Sequence, residues 1–421
     1  MKNSRSLGMV NNWPLLSLKE AGVVLFDCEH KTPAPSKSGF PYIAIPQMKD
    51  GHIDVKDASL VSPENYHEWV RRVVPRVNDV MVSRRCNPGE SVWVPSDFQF
   101  VLGQNLVILR SVGSFILPEY LRWLVRGNEW WENVRSNINV GAIFDSLKCA
   151  DIPNFILPIP PIEEQSAISI FLSTIDRKIV LNRQMNETLE AFARAVFKSW
   201  FIDFDPVRAK MEGRKPFGMD EETAALFPDS LKKSELGEIP KEWNIQRLDS
   251  LLELTYGKPG DFNDDKSRGI PTYGSNGQIG WTDEPLVRGP GIIVGRKGSS
   301  GIVTWSHSDF FPIDTTFYVR SKIGNEVTRY LYHVLMSLNL PDLTINAGVP
   351  GLNRNDAHSQ QVVVPSQEII EAFCSFIFPF IERIASNEKE SRMLSLIRDT
   401  LLPKLISGEI RIPPFGEEVG E

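Results

Sequence analysis

The chain has 421 residues, of which 42% are hydrophobic and 24% are charged, and its formal net charge is −7. This length predicts two to three domains, and four scattered cysteines without a C-x-x-C pair argue against a disulfide framework and a zinc site. The acidic balance excludes a protein that coats DNA non-specifically. Because no uninterrupted apolar stretch reaches the length of a membrane span, we expect a cytoplasmic protein without a membrane segment.

Residues 1–160 alternate short apolar runs with glycine and proline turns, which is typical of short strands in a β-rich globular domain. Residues 161–205 then place their core positions alternately four and three apart, as in the seam of a coiled coil. The predicted seam of this first long helix consists of Ile168, Leu172, Ile175, Ile179, Asn182, Asn186, Leu189, Ala193, Val196 and Trp200.

The second half of the chain repeats this order. Residues 206–236 are predicted to be a proline-rich linker with one short helix near residues 220–226. A second β-rich domain over residues 237–366 precedes a second long helix over residues 367–410, and residues 411–421 form a tail. The second seam lies 205 positions beyond the first and consists of Phe373, Ile377, Phe380, Ile384, Asn387, Ser391, Leu394, Arg398, Leu401 and Leu405.

Matched residues within the two β-rich domains show that the halves are copies of one unit. Residues 82–84 and Trp93 recur 212 positions later, and residues 139–141 recur 207 positions later as residues 346–348. The change of offset indicates loops of different length. The sequence therefore predicts an α+β protein with two pseudo-symmetric β-rich domains, joined by two long antiparallel helices that form a coiled coil.

The two seams predict that the long helices cover each other, because a helix with an apolar stripe of this length is not stable alone in water. Four polar residues lie near the middle of the seams and are predicted to fix the helix–helix register. They are Asn182, Asn186, Asn387 and Ser391. The alternative is that these four side chains are simply exposed where the seam loosens.

Catalytic motifs are missing from the sequence. It contains no [DN]-P-P-[YF] tetrapeptide of amino-methyltransferases and no G-x-x-x-x-G-K-[ST] phosphate loop. The six histidines do not have the spacing of metal ligands. We therefore expect a non-catalytic chain that holds neither a metal nor a cofactor.

Basic and amide-bearing turns are the candidate DNA contacts. A matched turn in each domain carries two adjacent cations suited to phosphate, and a second turn in the later domain carries amides that pair well with adenine. The predicted DNA-binding residues are Arg84, Arg85, Lys258, Tyr273, Asn276, Gln278, Arg296 and Lys297. The alternatives are a solvated basic turn in the first case and a plain Asn-Gly hairpin turn in the second.

Five motifs together resemble the specificity subunit of type I restriction-modification enzymes, and the resemblance extends over nearly the whole chain. They lie at the ends of the long helices, at the start of the second domain and in its basic turn. The motifs are PPIEEQ at 160–165, KSWFIDFDP at 198–206, GEIPKEW at 237–243, GRKGS at 295–299 and LLPKLISGEI at 401–410.

The resemblance implies two target recognition domains, each reading one half of an asymmetric, interrupted site in double-stranded DNA. It implies antiparallel helices that set the gap between the half-sites and dock two modification subunits. S-adenosylmethionine, ATP and Mg²⁺ are then expected in the modification and restriction subunits rather than in this chain. Two other functions remain open: a methyltransferase with its own recognition domain, and a coiled-coil adaptor that does not bind DNA.

Overall fold

A computed structural model describes residues 9–49, 51–95, 98–113, 115–141, 145–265, 268–345 and 351–412. The matched residues 346–348 and most of the predicted tail lie outside this part of the chain. The chain divides into two compact units, of which the first combines residues 1–181 with residues 390–421 and the second consists of residues 182–389. Each unit therefore contains one half of each long helix.

The first unit is built on a four-stranded antiparallel sheet in the order β3-β11-β8-β9. The smaller sheets have the orders β1-β2-β12, β10-β4-β7 and β5-β6. The strands are β1 Met9–Val10, β2 Trp13–Ser17, β3 Val23–Asp27, β4 Phe40–Ile43, β5 Met48–Lys49, β6 His52–Ile53, β7 Leu60–Val61, β8 Val80–Ser83, β9 Ser91–Trp93, β10 Val101–Leu102, β11 Leu106–Ser111 and β12 Ile156–Pro158.

Three short helices pack on the sheets of the first unit. They are α1 Pro63–Trp69, α2 Pro118–Leu124 and α3 Asn128–Asn137, with single 3₁₀ turns at Ile45–Gln47 and Ile152–Asn154. Helix α1 packs on the β10-β4-β7 sheet, and α2 and α3 pack on the large sheet. Trp123 of α2 and Trp130 of α3 are fully buried in the same apolar cluster as strands β8 and β11. Because β11 lies between two strands and under these helices, its residues form the uninterrupted apolar run LVIL.

The second unit repeats this architecture, with sheets in the orders β16-β22-β19-β20, β18-β17-β21 and β15-β25. Its strands are β13 Leu231–Ser234, β14 Gly237–Pro240, β15 Asn244–Arg247, β16 Leu252–Tyr256, β17 Ile270–Gly274, β18 Gly277–Thr282, β19 Gly291–Gly295, β20 Val303–Ser306, β21 Phe311–Pro312, β22 Thr316–Ser321, β23 Thr344–Ile345, β24 Gly351–Leu352 and β25 Gln361–Val364. Its short helices are α5 Asp205–Met211, α6 Glu221–Leu226, α7 Leu248–Leu251, α8 Thr328–Ser337 and α9 Arg354–His358, with a 3₁₀ turn at Leu340–Leu343.

The long helices α4 Ile162–Phe201 and α10 Gln367–Ile406 have 40 residues each, which corresponds to about 60 Å of helix. None of the twenty predicted seam residues is exposed. Pro403 does not end α10, which continues through it to Ile406 and ends before Gly408, whose φ is +75°.

Within the first unit, the first half of α4 runs antiparallel to the second half of α10. Asp176 accepts a hydrogen bond from Nη1 of Arg398 at 2.8 Å, and both side chains are mostly buried. Leu172 packs in one apolar cluster with Leu402 and Leu405. A buried ion pair therefore lies in an otherwise apolar seam.

Within the second unit, the opposite halves of the two helices pair through asparagines. Nδ2 of Asn387 donates to Oδ1 of Asn186 at 2.8 Å, and Nδ2 of Asn182 donates to the carbonyl of Asn387 at 3.4 Å. Asn182 and Asn387 are equivalent positions of the repeat, 205 residues apart. Equivalent residues of the two repeats therefore contact each other within the second unit. Ser391, the fourth predicted register residue, is half-buried in the first unit.

The start of α4 explains one of the sequence motifs. Gln165 of PPIEEQ is fully buried. Its Nε2 donates to the carbonyls of Phe115 and Pro160 at 2.6 and 2.8 Å, and its Oε1 accepts from the amide of Leu117 at 2.8 Å. These bonds fix the first turn of α4 to the segment that precedes α2.

The segment predicted to be a linker, residues 206–236, is folded. Most of α5, all of α6 and strand β13 lie within it. Val207 and Phe227 are buried in the main core of the second unit, beside Trp200 and Trp243. Pro206 lies at the start of α5, and the short helix predicted near residues 220–226 is α6.

Among the described residues, no helix is long and apolar enough to cross a membrane.

Replacing Asn387 with alanine is predicted to lower the free energy of unfolding by about 1–3 kcal/mol. The change removes the Nδ2 donor that Oδ1 of Asn186 accepts from in a poorly hydrated seam. Urea unfolding followed by circular dichroism measures the change. Lys389→Ala, at an exposed position on the same helix, is the control. Equal stability of the two variants would show that the asparagine contact does not stabilise the helix pair.

Candidate nucleic-acid interface

The same backbone arrangement surrounds the matched basic turn in both units. In the first unit, the amide of Arg84 donates to the carbonyl of Asn105, and the carbonyl of Arg84 accepts from Leu147. In the second unit, the amide of Arg296 donates to the carbonyl of Thr315, and its carbonyl accepts from Leu352. These main-chain bonds bring equivalent segments of each unit to one end of the large sheet.

In the second unit these segments line an open cleft of about 460 Å³. Its lining residues are Tyr256, Arg296, Lys297, Gly351, Leu352, Asn353, Arg354 and Asn355. The Tyr256 ring is 45% exposed. The guanidinium carbons of Arg296 and Arg354 lie 4.8 and 5.2 Å from its centroid, within the range of a cation–π contact.

The cleft of the second unit is positively charged. Nη1 of Arg296 donates to the carbonyl of Asp314 at 3.1 Å, which fixes the guanidinium without neutralising it. Among the described residues, no carboxylate forms an ion pair with Arg296, Lys297 or Arg354. The structure therefore places the predicted Arg296 and Lys297 in a site suited to an anion.

In the first unit Asp27 takes the place of Tyr256, at the end of the equivalent strand β3. Its carboxylate lies 3.8 Å from Nη2 of Arg84, 3.9 Å from Nη1 of Arg72 and 2.9 Å from Nε2 of His30. The Arg84 side chain is only 12% exposed, so this predicted DNA contact is mostly withdrawn from solvent. Arg85, the next predicted contact, is exposed.

The place around Asp27 that corresponds to the cleft of the second unit, called the first cleft below, also carries two thiols. Burial, followed by the charge of Asp27, raises the pKa of the Cys28 thiol to about 11, and Cys28 Sγ donates to the carbonyl of Gln104 at 3.0 Å. Burial also raises the pKa of the Cys149 thiol, which is hydrogen-bonded to Asp27. Asp27, Cys28 and His30 place possible metal-ligand atoms within 4.8 Å of one another, a grouping that spacing alone did not reveal. The carboxylate already faces two arginines, which disfavours a cation there.

The predicted amide-bearing turn lies beside the basic turn of the second unit. Ser275 Oγ donates to the carbonyl of Thr315 at 2.6 Å, and the same carbonyl accepts from the amides of Arg296 and Lys297. Asn276, at the tip of the β17–β18 turn, is exposed. The two candidate turns therefore form one surface.

Three further predicted residues have different positions. Gln278 and Lys258 are exposed. Tyr273 is only 9% exposed and packs with Phe310 in an apolar cluster. This buried position does not offer the ring of the predicted contact Tyr273 to DNA.

Tyr256 and Arg354 were not predicted from the sequence. Neither lies in a motif, and Tyr256 reaches the cleft only through the pairing of β16 with β22. Arg354 could have been found from the repeat. Leu147 and Leu352 are matched positions 205 residues apart, and Arg354 lies two residues after Leu352. Cys149 is its counterpart in the first unit.

In each unit a buried arginine connects the strand that follows the basic turn to α4, and sequence reasoning missed both. Arg122 lies 3.9 Å from the ring centroid of Trp93 and donates to Ser173 at 2.7 Å. Its pKa is lowered to about 10 by burial, so it stays charged at neutral pH. In the second unit Arg329 lies 4.5 Å from the ring centroid of Trp305 and forms an ion pair with Glu190.

Comparison with known proteins relates this architecture to one family. A family model described as the type I restriction modification DNA specificity domain matches residues 33–191. The chain is 28% identical over 331 residues to the type I restriction enzyme MjaIX specificity subunit of Methanocaldococcus jannaschii. This alignment covers 70% of each protein. It is 27% identical over 402 residues to the HindI specificity subunit of Haemophilus influenzae, covering 79% of this chain and 86% of that protein.

A solved structure has the same fold. The S subunit of the type I restriction-modification system from M. genitalium superimposes with a TM-score of 0.50 at 17% sequence identity, covering 96% of this chain and 98% of that one. The predicted fold class and the resemblance drawn from the five motifs are both confirmed.

Acidification is predicted to destabilise the second unit through His333. This side chain is 2% exposed, and burial, with the charges of Arg329 and Arg194, lowers its pKa from 6.5 to about 3. Below about pH 6.5 His333 binds a proton in the unfolded chain but not in the folded one. The free energy of unfolding is therefore greatest above that pH. It decreases as the pH falls, by about 2 kcal/mol at pH 5.

Thermal unfolding at pH 7 and pH 5 measures this loss. His333→Phe is expected to reduce the difference between the two melting temperatures. His67→Gln, at an exposed position, is expected to retain it. An undiminished difference in His333→Phe would rule out this histidine as the cause.

Proposed function

We propose that this chain is a specificity subunit of the type I restriction-modification family, to which its relatives belong, and that it reads an asymmetric two-part DNA site, one half with each unit. The observation that carries this proposal is the duplicated basic turn. Equivalent main-chain hydrogen bonds hold it in both units, while the side chains around it differ. A shared backbone with different side chains is suited to reading two different half-sites.

The long helices are the proposed spacer between the half-sites. Two features support this role: their seam is continuous over 40 residues, and their register is fixed by asparagines. Half-sites read from one side of B-DNA lie about 34 Å apart, or one helical turn. Helices of about 60 Å are long enough to set such a distance.

The proposed docking surface for two modification subunits is the outer face of the long helices. Several apolar side chains of these helices are between 44% and 63% exposed, and four of those carry the proposal. They are Ile170, Leu181, Met393 and Leu396. Exposed apolar positions along one element are typical of a protein–protein contact.

In this proposal the chain itself is non-catalytic and works on cytoplasmic DNA. S-adenosylmethionine belongs to the modification subunits, and ATP and Mg²⁺ belong to the restriction subunits. The absence of a methyltransferase tetrapeptide and of a phosphate loop supports this division.

Co-expression with a type I modification subunit, followed by mapping of methylated adenines in the host genome, tests the proposal. We expect one interrupted motif with two unlike halves. Methylation by the purified chain alone would favour a self-contained methyltransferase instead. Absence of DNA binding, with modification subunits bound to the helices, would favour an adaptor.

A seven-residue insertion at matched positions of both long helices is predicted to lengthen the gap in the methylated motif by about three base pairs. Seven residues preserve the seam and add about 10 Å. The same insertion in the turn between β13 and β14 at the exposed Leu236 is the control and should leave the gap unchanged. A constant gap in the helix variant would contradict the spacer role.

A further inference from the structure

The two clefts have opposite electrostatic character at the same place in the fold. Tyr256 and Arg354 in the second unit correspond to Asp27 and Cys149 in the first. The second cleft therefore holds two guanidiniums over an aromatic ring, and the first holds a carboxylate at its inner end. We propose that the cleft of the second unit is a clamp for a backbone phosphate of DNA and that the first cleft is not.

The cations of the second cleft are arranged before any ligand binds. Arg296 is held by the Tyr256 ring and by the carbonyl of Asp314, and Arg354 approaches the same ring. Two like charges beside one ring repel each other, and an anion between them removes that repulsion. Arginine forks bind phosphate oxygens through paired hydrogen bonds.

The form of the cleft favours a phosphodiester over a base edge. It is open to solvent, has a volume of about 460 Å³, and combines three cations with the side chains of Asn353 and Asn355. The exposed amides of Asn276 and Gln278 lie outside its lining, on the neighbouring turn. Phosphate binding at the cleft would set the register in which those amides meet base edges.

The first cleft lacks these properties. Asp27 takes up the charge of Arg84 and Arg72, and its carboxylate would repel a phosphate at the inner end of the cleft. Arg85 and Lys148 are exposed cations at the rim, where water screens them. The first unit is thus expected to contribute less to the salt dependence of binding.

This inference rests on the proposed function, because it assigns a role to one part of the DNA interface. The test measures the affinity of the full chain for a fluorescent duplex that carries the mapped site and for a scrambled duplex. Anisotropy is recorded over a series of KCl concentrations. The slope of log K against log salt is negative and is given below as its absolute value. Each lost phosphate contact lowers this value by about 0.9.

Arg354→Gln is expected to lower that slope by about one on both duplexes alike. Arg354→Lys keeps the charge and is expected to keep most of the slope. Arg84→Gln, the matched change in the first cleft, should leave it unchanged. Circular dichroism and melting temperature establish that each variant is folded.

A gain of function tests the other half of the proposal. Asp27→Asn removes the carboxylate and frees the positive charge of Arg84, so the slope should increase. An unchanged slope would show that Asp27 does not close the first cleft to phosphate, and would overturn that half.

The remaining outcomes separate this inference from the proposed function. Failure of the wild-type chain to bind either duplex, alone and with modification subunits, counts against the proposed function. Binding by the wild type with an unchanged slope in Arg354→Gln overturns the clamp alone. A change in the preferred bases without a change in slope overturns it too, because Arg354 would then read a base.

Discussion

The apolar seams of the two 40-residue helices must be covered, and the rest of the molecule follows from that requirement. A helix of this length with one apolar stripe is stable only against a partner, and the duplication supplies one within the same chain. Each half of a helix then becomes part of a core that also contains a β-rich domain, as Leu172 and Phe373 show. In each unit the helix halves and the β-rich domain therefore share one core.

The two equivalent turns show that the backbone conformation can be kept while the side chains around it change. Main-chain hydrogen bonds of Arg84 and Arg296 define the shape, and these bonds do not depend on the neighbouring side chains. Asp27 and Tyr256 can differ completely without disturbing the turn beside them. The buried Arg122 and Arg329 connect the strand after each turn to α4. Their α4 partners, Ser173 and Glu190, also differ.

Periodic features were predictable from the sequence, and contacts between distant strands were not. The alternating four–three spacing gave the long helices, because a seam repeats along one element. It also drew attention to Asn182 and Asn387. Tyr256 escaped notice because its place in the cleft depends on strand pairing, and an isolated tyrosine does not reveal that Tyr273 is buried. The packing of residues 206–236 into the second core was missed because prolines and mixed charge are typical of a linker.

The buried ion pair between Asp176 and Arg398 has a consequence for how the two halves of the chain recognise each other. The repeat places Ile381 and Ala193 at the equivalent positions, and both belong to the apolar core of the second unit. If two copies of the first half were to pair with each other, each Asp176 would meet an alanine and remain charged in a dry seam, which is strongly unfavourable. The duplicated halves have thus diverged into unlike partners, and self-association of either one is selected against by a single charge.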